Sequence, residues 1–204
     1  MFEFLRQYDR IIVSGPQRSG TNICARMIAQ DTGHIFITAQ SLGVNDIDTL
    51  HKRLPGSHTV VVHGPGFSRY AHTLFPLVDC VVFMRRDLDE IFLSQERIDW
   101  HGGAEEINKY LDCPIRVTLQ SIFGMRLTDE PDRVVAAVKY VYWELYQRQR
   151  TNVYFEVDYN RLAEHPLWLP KDYYTRLGIR GLQSKPSCHK PANPKKRGNI
   201  NNCS

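Results

Sequence analysis

The sequence predicts a three-layer α/β/α fold with a central, mostly parallel β-sheet. Short apolar runs alternate along the chain with segments whose apolar residues recur at helical spacing. The short runs are apolar throughout rather than at every second residue, which is typical of strands buried on both faces. Polar residues follow several of these runs directly, at the carboxyl ends of parallel strands, where ligands bind in such sheets.

The predicted elements follow in order along the chain. Strands are predicted where apolar residues are consecutive and rich in β-branched types, at 10–13, 34–38, 59–63, 79–84 and 152–157. Helices are predicted at 23–29, 45–53, 67–75, 88–97, 105–111, 116–127 and 129–150, and a further one begins at 158–163. Asn45 or Asp46 would cap the second helix, and Pro131 lies in the first turn of the long one.

Length and composition favour a single domain. The chain has 204 residues, of which 42% are apolar, enough for a packed core. We predict one α/β domain over residues 1–180 and a basic tail over residues 181–204, where Lys, Pro, Asn and Gly dominate. The net charge of +4 is consistent with an anionic ligand, and we expect no nucleic-acid partner.

The cysteines and the hydropathy pattern suggest a compartment. The five cysteines have no CxxC spacing, which argues for a reducing environment and against a disulfide framework or a zinc site. They are Cys24, Cys80, Cys113, Cys188 and Cys203. There is no apolar run of membrane-spanning length, and the first residues are charged rather than leader-like. We therefore expect a cytoplasmic protein with no membrane span.

Residues 14–22, Ser-Gly-Pro-Gln-Arg-Ser-Gly-Thr-Asn, form a loop between the first predicted strand and the first predicted helix. That order directs a helix N-terminus and several backbone N–H groups at one place, which suits an anion such as phosphate. Gly15 and Gly20 allow tight turning and close backbone approach to a ligand. Arg18 adds a positive charge. The loop therefore predicts an anion site.

The loop departs from the ATP-binding pattern in which Lys and Ser or Thr follow the second glycine. Thr21 and Asn22 stand at those positions, and the cation lies earlier, at Arg18. Asn22, at the magnesium position, is a poor ligand for that ion. An anion is therefore expected without a bound metal.

Residues 15–22 resemble the loop with which sulfotransferases bind the 5′-phosphosulfate of 3′-phosphoadenosine 5′-phosphosulfate (PAPS), with Arg18 at the basic position. The resemblance implies a P-loop nucleotide-kinase-like version of the fold. It also implies PAPS as co-substrate, with no metal. The loop residues implied to bind PAPS are Gly15, Gln17, Arg18, Ser19, Gly20, Thr21 and Asn22.

A second segment, Arg86 to Ser94, resembles the family's site for the 3′-phosphate of PAPS. An arginine at a strand end can form a fork of hydrogen bonds to phosphate oxygens, and a serine two helical turns later can add another. Arg86 has the family's spacing to Ser94, whereas Arg85 is one residue off.

His63 ends a predicted strand, as the proton-accepting histidine of many sulfotransferases does. A histidine titrates near neutral pH and suits a general base. The family's lysine two residues earlier is replaced by Val61, and a histidine that only bonds a loop carbonyl is an equal alternative. The carboxylates Asp46, Asp48 and Asp99 are reserve candidates.

Two further matches come late in the chain. Residues 158–162 resemble a family segment whose tyrosine lies near the adenine, which would make Tyr159 a stacking partner for the base; a core tyrosine is an equal alternative. Arg197 and Gly198 resemble a segment that closes over the 3′-phosphate, although a basic disordered tail is the alternative.

The resemblance implies a sulfotransferase that moves the sulfuryl group from PAPS to a hydroxyl or amine by in-line displacement. His63 would take the acceptor's proton, and Arg18 would stabilise the charge on the departing bisphosphate. A P-loop kinase using Asp158 or Asp87 for magnesium remains an alternative, as does a non-catalytic nucleotide-binding module of the same fold. A small molecule or a glycan is the expected acceptor, and the sequence does not indicate the oligomeric state.

Overall fold

The computed structural model describes residues 1–43, 46–54, 58–74, 77–100, 107, 110, 124 and 131–168. Five strands form one sheet: β1 (Arg10–Ser14), β2 (Ile35–Thr38), β3 (Val60–His63), β4 (Cys80–Arg85) and β5 (Tyr154–Asp158). The α-helices of this part of the chain are α1 (Thr21–Thr32), α2 (Ile47–Arg53), α3 (Leu88–Glu96) and α4 (Pro131–Tyr142). The 3-10 helices span Glu3–Gln7, Pro65–Leu74, Arg148–Arg150 and Tyr159–Glu164.

The sheet is parallel at every pairing and has the order β2-β3-β1-β4-β5. β1 lies at the centre, and the register pairs Val13 with His63 on one side and Ser14 with Phe83 on the other. At the β4–β5 boundary Arg85 pairs with Asp158. The strands therefore end together, and the segments after β1, β3, β4 and β5 share one edge of the sheet.

Alternate residues of each strand pack into two cores on opposite faces of the sheet. Ile12, Val62 and Phe83 face a core shared with α2, α3, α4 and the 3-10 helix Pro65–Leu74. Val13 and Val82 face a second core shared with α1 and the 3-10 helices Glu3–Gln7 and Tyr159–Glu164. The predicted three-layer α/β/α fold is confirmed, because the sheet is parallel and its two faces are both covered by helices, as strands of consecutive apolar residues require.

The structure corrects several local predictions. Within the described part of the chain, β2 and β5 each have a neighbouring strand on one side alone, and these two edge strands are only partly buried. The segment predicted as a helix at 67–75 is a 3-10 helix, and so is the helix predicted to begin at 158–163. The long helix predicted at 129–150 stops being α-helical at Tyr142 and continues as a π-helix, Trp143–Gln147. In that turn Trp143 stacks on Phe83 of β4, with ring centroids 4.2 Å apart. Packing of this side chain on the sheet therefore overrides the regular hydrogen-bond spacing of the α-helix.

Several predictions lie wholly or mostly outside the described residues: the helices at 105–111 and 116–127, the domain end at 180, and the tail with Arg197 and Gly198. Within the described ranges, each helix is too short or too polar to cross a bilayer.

Candidate functional site

The loop between β1 and α1 has a backbone shape that its sequence makes possible. Gly15 has φ +139°, and a Cβ there would lie 3.0 Å from the Met84 carbonyl oxygen of the neighbouring strand. Gly20 has φ +93° and stands immediately before Thr21, where α1 begins. Arg18 adopts a left-handed conformation with φ 69°, which is uncommon for a residue with a side chain. Such strain is typical of functional loops.

Ser68, on the 3-10 helix Pro65–Leu74, holds the start of the loop. Its hydroxyl accepts from the backbone N–H of Gly15 at 3.2 Å and lies 3.0 Å from the Ser14 hydroxyl. Within the loop, the buried Ser19 hydroxyl donates to the Pro16 carbonyl at 2.7 Å. Ser19 therefore shapes the loop. The sequence did not predict this role of Ser68. The only available signal was its position shortly after β3.

The two predicted phosphate segments meet in space. Arg86 donates from Nη1 to the Arg18 carbonyl oxygen at 2.8 Å, and Arg18 donates from Nε to the Ser94 hydroxyl at 3.1 Å. Arg86 also donates from Nε to Glu90 at 2.9 Å. These bonds use two of the five N–H donors of Arg86 and one of those of Arg18. The other N–H donors of the two guanidinium groups are numerous enough to bind an anion.

Charge at this place favours an anionic ligand. Loss of surrounding water, and then the positive charge of Arg86, lower the pKa of the Arg18 guanidinium. Arg18 is exposed at the surface, so its loss of water is only partial. Two cations held close together repel each other, and an anion between them would relieve that repulsion.

Arg85 has a different role from its neighbour. It donates to Glu156 at 3.0 Å and forms an ion pair with Glu144, which joins β4 to β5 and to the π-helix. The spacing to Ser94 predicted Arg86 rather than Arg85 for the ligand, and the partners of Arg85 are consistent with that choice.

Tyr159, just after β5, packs against the loop. The Arg86 guanidinium lies 3.8 Å from the centre of its ring, and the ring lies at 74° to that of Trp168, with the two centroids 5.3 Å apart. One face of the ring is therefore covered by Arg86, so adenine stacking by Tyr159 stays a prediction. In this arrangement the tyrosine supports Arg86 through a cation–π contact.

Alanine at Gly20 is expected to destabilise the protein by about 3 kcal/mol, against about 1 kcal/mol for alanine at Gly33. Both glycines have positive φ, but a Cβ at Gly20 would lie 2.5 Å from the Tyr159 ring, whereas nothing lies within 4 Å of one at Gly33. Urea denaturation of the two variants measures the difference. Equal losses would mean that the ring moves aside at little cost.

His63, at the end of β3, contacts the loop on the side opposite Arg86. Its Nε2 lies 3.0 Å from the Thr21 hydroxyl at the start of α1. Burial, followed by the charge of Arg26, lowers the pKa of His63 to about 4. The imidazole is therefore neutral at pH 7 and able to accept a proton, but it is a weaker base than the near-neutral histidine that the sequence led us to expect.

This lowered pKa predicts a pH dependence of stability. Between the unfolded value of 6.5 and the folded value of about 4, the unfolded chain holds a proton on His63 that the folded protein does not. The free energy of unfolding should therefore fall as the pH drops through this window, by about 1–2 kcal/mol after allowance for solvent screening. Urea denaturation from pH 7 to pH 4.5 should show a smaller fall in His63→Gln. Parallel curves for the two proteins would refute the expectation.

Other predicted residues have different surroundings. Asn22 is exposed and accepts from Arg26 at 2.9 Å, on the outer side of α1. Among the carboxylates, Asp46 caps α2 by accepting from the Thr49 N–H at 2.7 Å, as one of the two predicted caps. Asp48 is exposed in the first turn of α2, and Asp99 follows α3 with φ 54°. None of these contacts places a carboxylate beside the loop.

The two carboxylates of the kinase alternative serve as helix caps. Asp87 accepts from the Glu90 N–H at 3.1 Å, and Asp158 accepts from the Asn160 N–H at 2.8 Å. Within the described ranges, no three His, Cys, Asp or Glu side chains come close enough together to hold a metal ion.

Lys139, on α4, is a second residue, after Ser68, whose contact with the loop the sequence did not reveal. Its side chain is fully buried, and Nζ lies 2.5 Å from Oε1 of Gln17 at the top of the loop. The signal was present as a lone lysine within the apolar helix Pro131–Tyr142. A charged residue almost never lies fully buried without a partner, so such a lysine implies a specific polar contact.

No protein-family model matches the chain, and no curated protein matches it. Among solved structures, the chain is similar to shikimate kinase from Acinetobacter baumannii in complex with shikimate, with 12% sequence identity and a TM-score of 0.49. The match covers 88% of this chain and 99% of that one. Proteins of unrelated activity share folds, so what this chain does must be inferred from its own site.

Proposed function

We propose that this protein is a PAPS-dependent sulfotransferase that moves the sulfuryl group to a hydroxyl or amine of a small molecule or glycan. The observation that carries the proposal is the contact between the two phosphate segments: Arg86 donates to the loop at Arg18, and Arg18 donates to Ser94. Two basic groups beside one loop suit a ligand with two separate anionic ends. A doubly phosphorylated adenosine is such a ligand.

The order of the strands supports one orientation of the proposed ligand. The loop follows the central strand β1, with Arg86 and Tyr159 on the β4–β5 flank and His63 on the β3 flank. The 3′-phosphate would lie at Arg86 and Ser94, and the 5′-phosphosulfate in the loop. The sulfuryl group would then face His63, where the acceptor enters.

The chemistry needs a base and a stabiliser for the leaving group. Neutral His63 takes the proton of the acceptor hydroxyl or amine, and the acceptor atom attacks sulfur while the bond from sulfur to the bridging oxygen breaks. Negative charge grows on that oxygen of the departing bisphosphate, and Arg18 with the loop N–H groups stabilises it. A sulfuryl group carries less charge than a phosphoryl group, so this step does not call for a metal.

We also propose a reducing compartment, the cytoplasm, as its location. Cys24 and Cys80 are buried free thiols, and burial raises the pKa of Cys80 to about 12. The fold around these two cysteines is therefore stable without a disulfide, as is usual for proteins of a reducing compartment.

Calorimetric titration with adenosine 3′,5′-bisphosphate and with ATP–magnesium tests the proposal. We expect the bisphosphate to bind without magnesium in the micromolar range, and ATP–magnesium at least about 10-fold more weakly. The reverse order would replace the proposal with a P-loop kinase. A panel of acceptors incubated with radiolabelled PAPS would then identify the acceptor class.

A further inference from the structure

Lys139 lies where the proposed reaction would occur and has no role in it so far. Its Nζ donates to Gln17 Oε1 at 2.5 Å and to the Pro65 carbonyl at 3.4 Å. Pro65 follows the proposed base, His63, by two residues, so Lys139 is on the β3 flank of the loop, away from Arg86. Burying an ammonium group is costly unless hydrogen bonds compensate for it, and Gln17 supplies one.

The contact fixes which way the Gln17 amide points. An ammonium group has only donors, so the oxygen of the amide must face it and the NH2 group must face away. Lys139 is fully buried, whereas Gln17 is half-buried at the top of the loop. A ligand in the loop would therefore meet the Gln17 N–H groups rather than the lysine itself.

We propose that Lys139 is a positioning residue that holds Gln17 with Nε2 directed at an oxygen of the transferred sulfuryl group. This inference rests on the proposed function and adds a donor on the acceptor side of the loop. A donor held in place before the reaction stabilises developing charge without reorganisation. A glutamine without its lysine could rotate and present its oxygen instead, which would repel the sulfuryl oxygens.

A double-mutant cycle tests the coupling. The variants are Lys139→Met, Gln17→Met and the double variant, each titrated calorimetrically with PAPS and with adenosine 3′,5′-bisphosphate, which lacks the sulfuryl group. Val138→Ala is the control, because Val138 is a fully buried neighbour of Lys139 on the same helix. It belongs to a third apolar cluster, with Val134 and Val141, which is separate from the two cores of the sheet. We expect either methionine to lower the ratio of PAPS affinity to bisphosphate affinity about 10-fold, with the double variant no worse than either one.

Other outcomes separate the possible failures. If the wild type binds no bisphosphate, the proposed function fails. If it does bind and Lys139→Met lowers both affinities alike, as Val138→Ala would through stability alone, the lysine is structural and this inference fails. Additive losses would show that Lys139 does not act through Gln17.

Side-chain 15N NMR of the wild-type protein covers the case in which Lys139→Met does not fold. The Gln17 amide signals, assigned by their absence in Gln17→Met, should shift on addition of PAPS and stay in place with the bisphosphate. Equal shifts with both ligands would place the amide on the 5′-phosphate and overturn the inference.

Discussion

Replacing Arg86 with methionine is expected to weaken binding of adenosine 3′,5′-bisphosphate about 100-fold. The guanidinium has donors beyond those used by Glu90 and the Arg18 carbonyl, and a 3′-phosphate at Ser94 would receive a fork of charged hydrogen bonds from it. The affinity for adenosine 5′-phosphate, which lacks the 3′-phosphate, should fall much less in the same variant. Calorimetric titration of both nucleotides measures the two losses.

Arg85→Met is the matched control for this experiment. Arg85 is the adjacent residue on the same strand end, but its partners are Glu144 and Glu156. The control should lower thermal stability and leave bisphosphate affinity within about 2-fold of the wild type. If the two variants bound the bisphosphate equally well, the 3′-phosphate would not lie at Arg86.

Replacing His63 with glutamine is expected to lower turnover by about 100- to 1,000-fold while bisphosphate affinity changes less than about 2-fold. Glutamine can keep a hydrogen bond to the Thr21 hydroxyl, which lies 3.0 Å from the imidazole, but it cannot take a proton. The variant therefore separates the base from the shape of the loop. Steady-state rates with an acceptor from the panel, and titration with the bisphosphate, give the two quantities.

His34→Gln is the control, since His34 is a buried histidine whose ring nitrogen lies 2.6 Å from the Tyr8 carbonyl oxygen. It immediately precedes β2, at the edge of the sheet opposite the loop. It should keep full turnover. Unchanged turnover in His63→Gln would mean that His63 is not the base, and one of the reserve carboxylates would become the candidate. A wild-type protein that binds the bisphosphate but transfers sulfate to no acceptor would be a binding module.

The sequence predicted what depends on neighbouring residues. Consecutive β-branched residues identified β3 and β4, and the glycines on either side of Arg18 identified the loop. The carboxyl ends of parallel strands share an edge, so the presence of Arg86 at the same edge as the loop could be anticipated from its place after a predicted strand.

Contacts between distant segments could not be predicted in the same way. Gln17 and Lys139 are 122 residues apart, and neither residue shows in isolation which partner it needs. The π-helix after Tyr142 depends on how Trp143 fits against Phe83, and the cover of Tyr159 by Arg86 depends on side-chain packing across two strand ends. Such fits are set by tertiary packing rather than local propensity.

A crystal structure with adenosine 3′,5′-bisphosphate bound is the most direct measurement of the central idea. We expect the 5′-phosphate on the loop beside Arg18 and the 3′-phosphate within hydrogen-bond distance of both Arg86 and Ser94. A 3′-phosphate in solvent, with Arg86 still held by Glu90 and the loop carbonyl, would contradict the account.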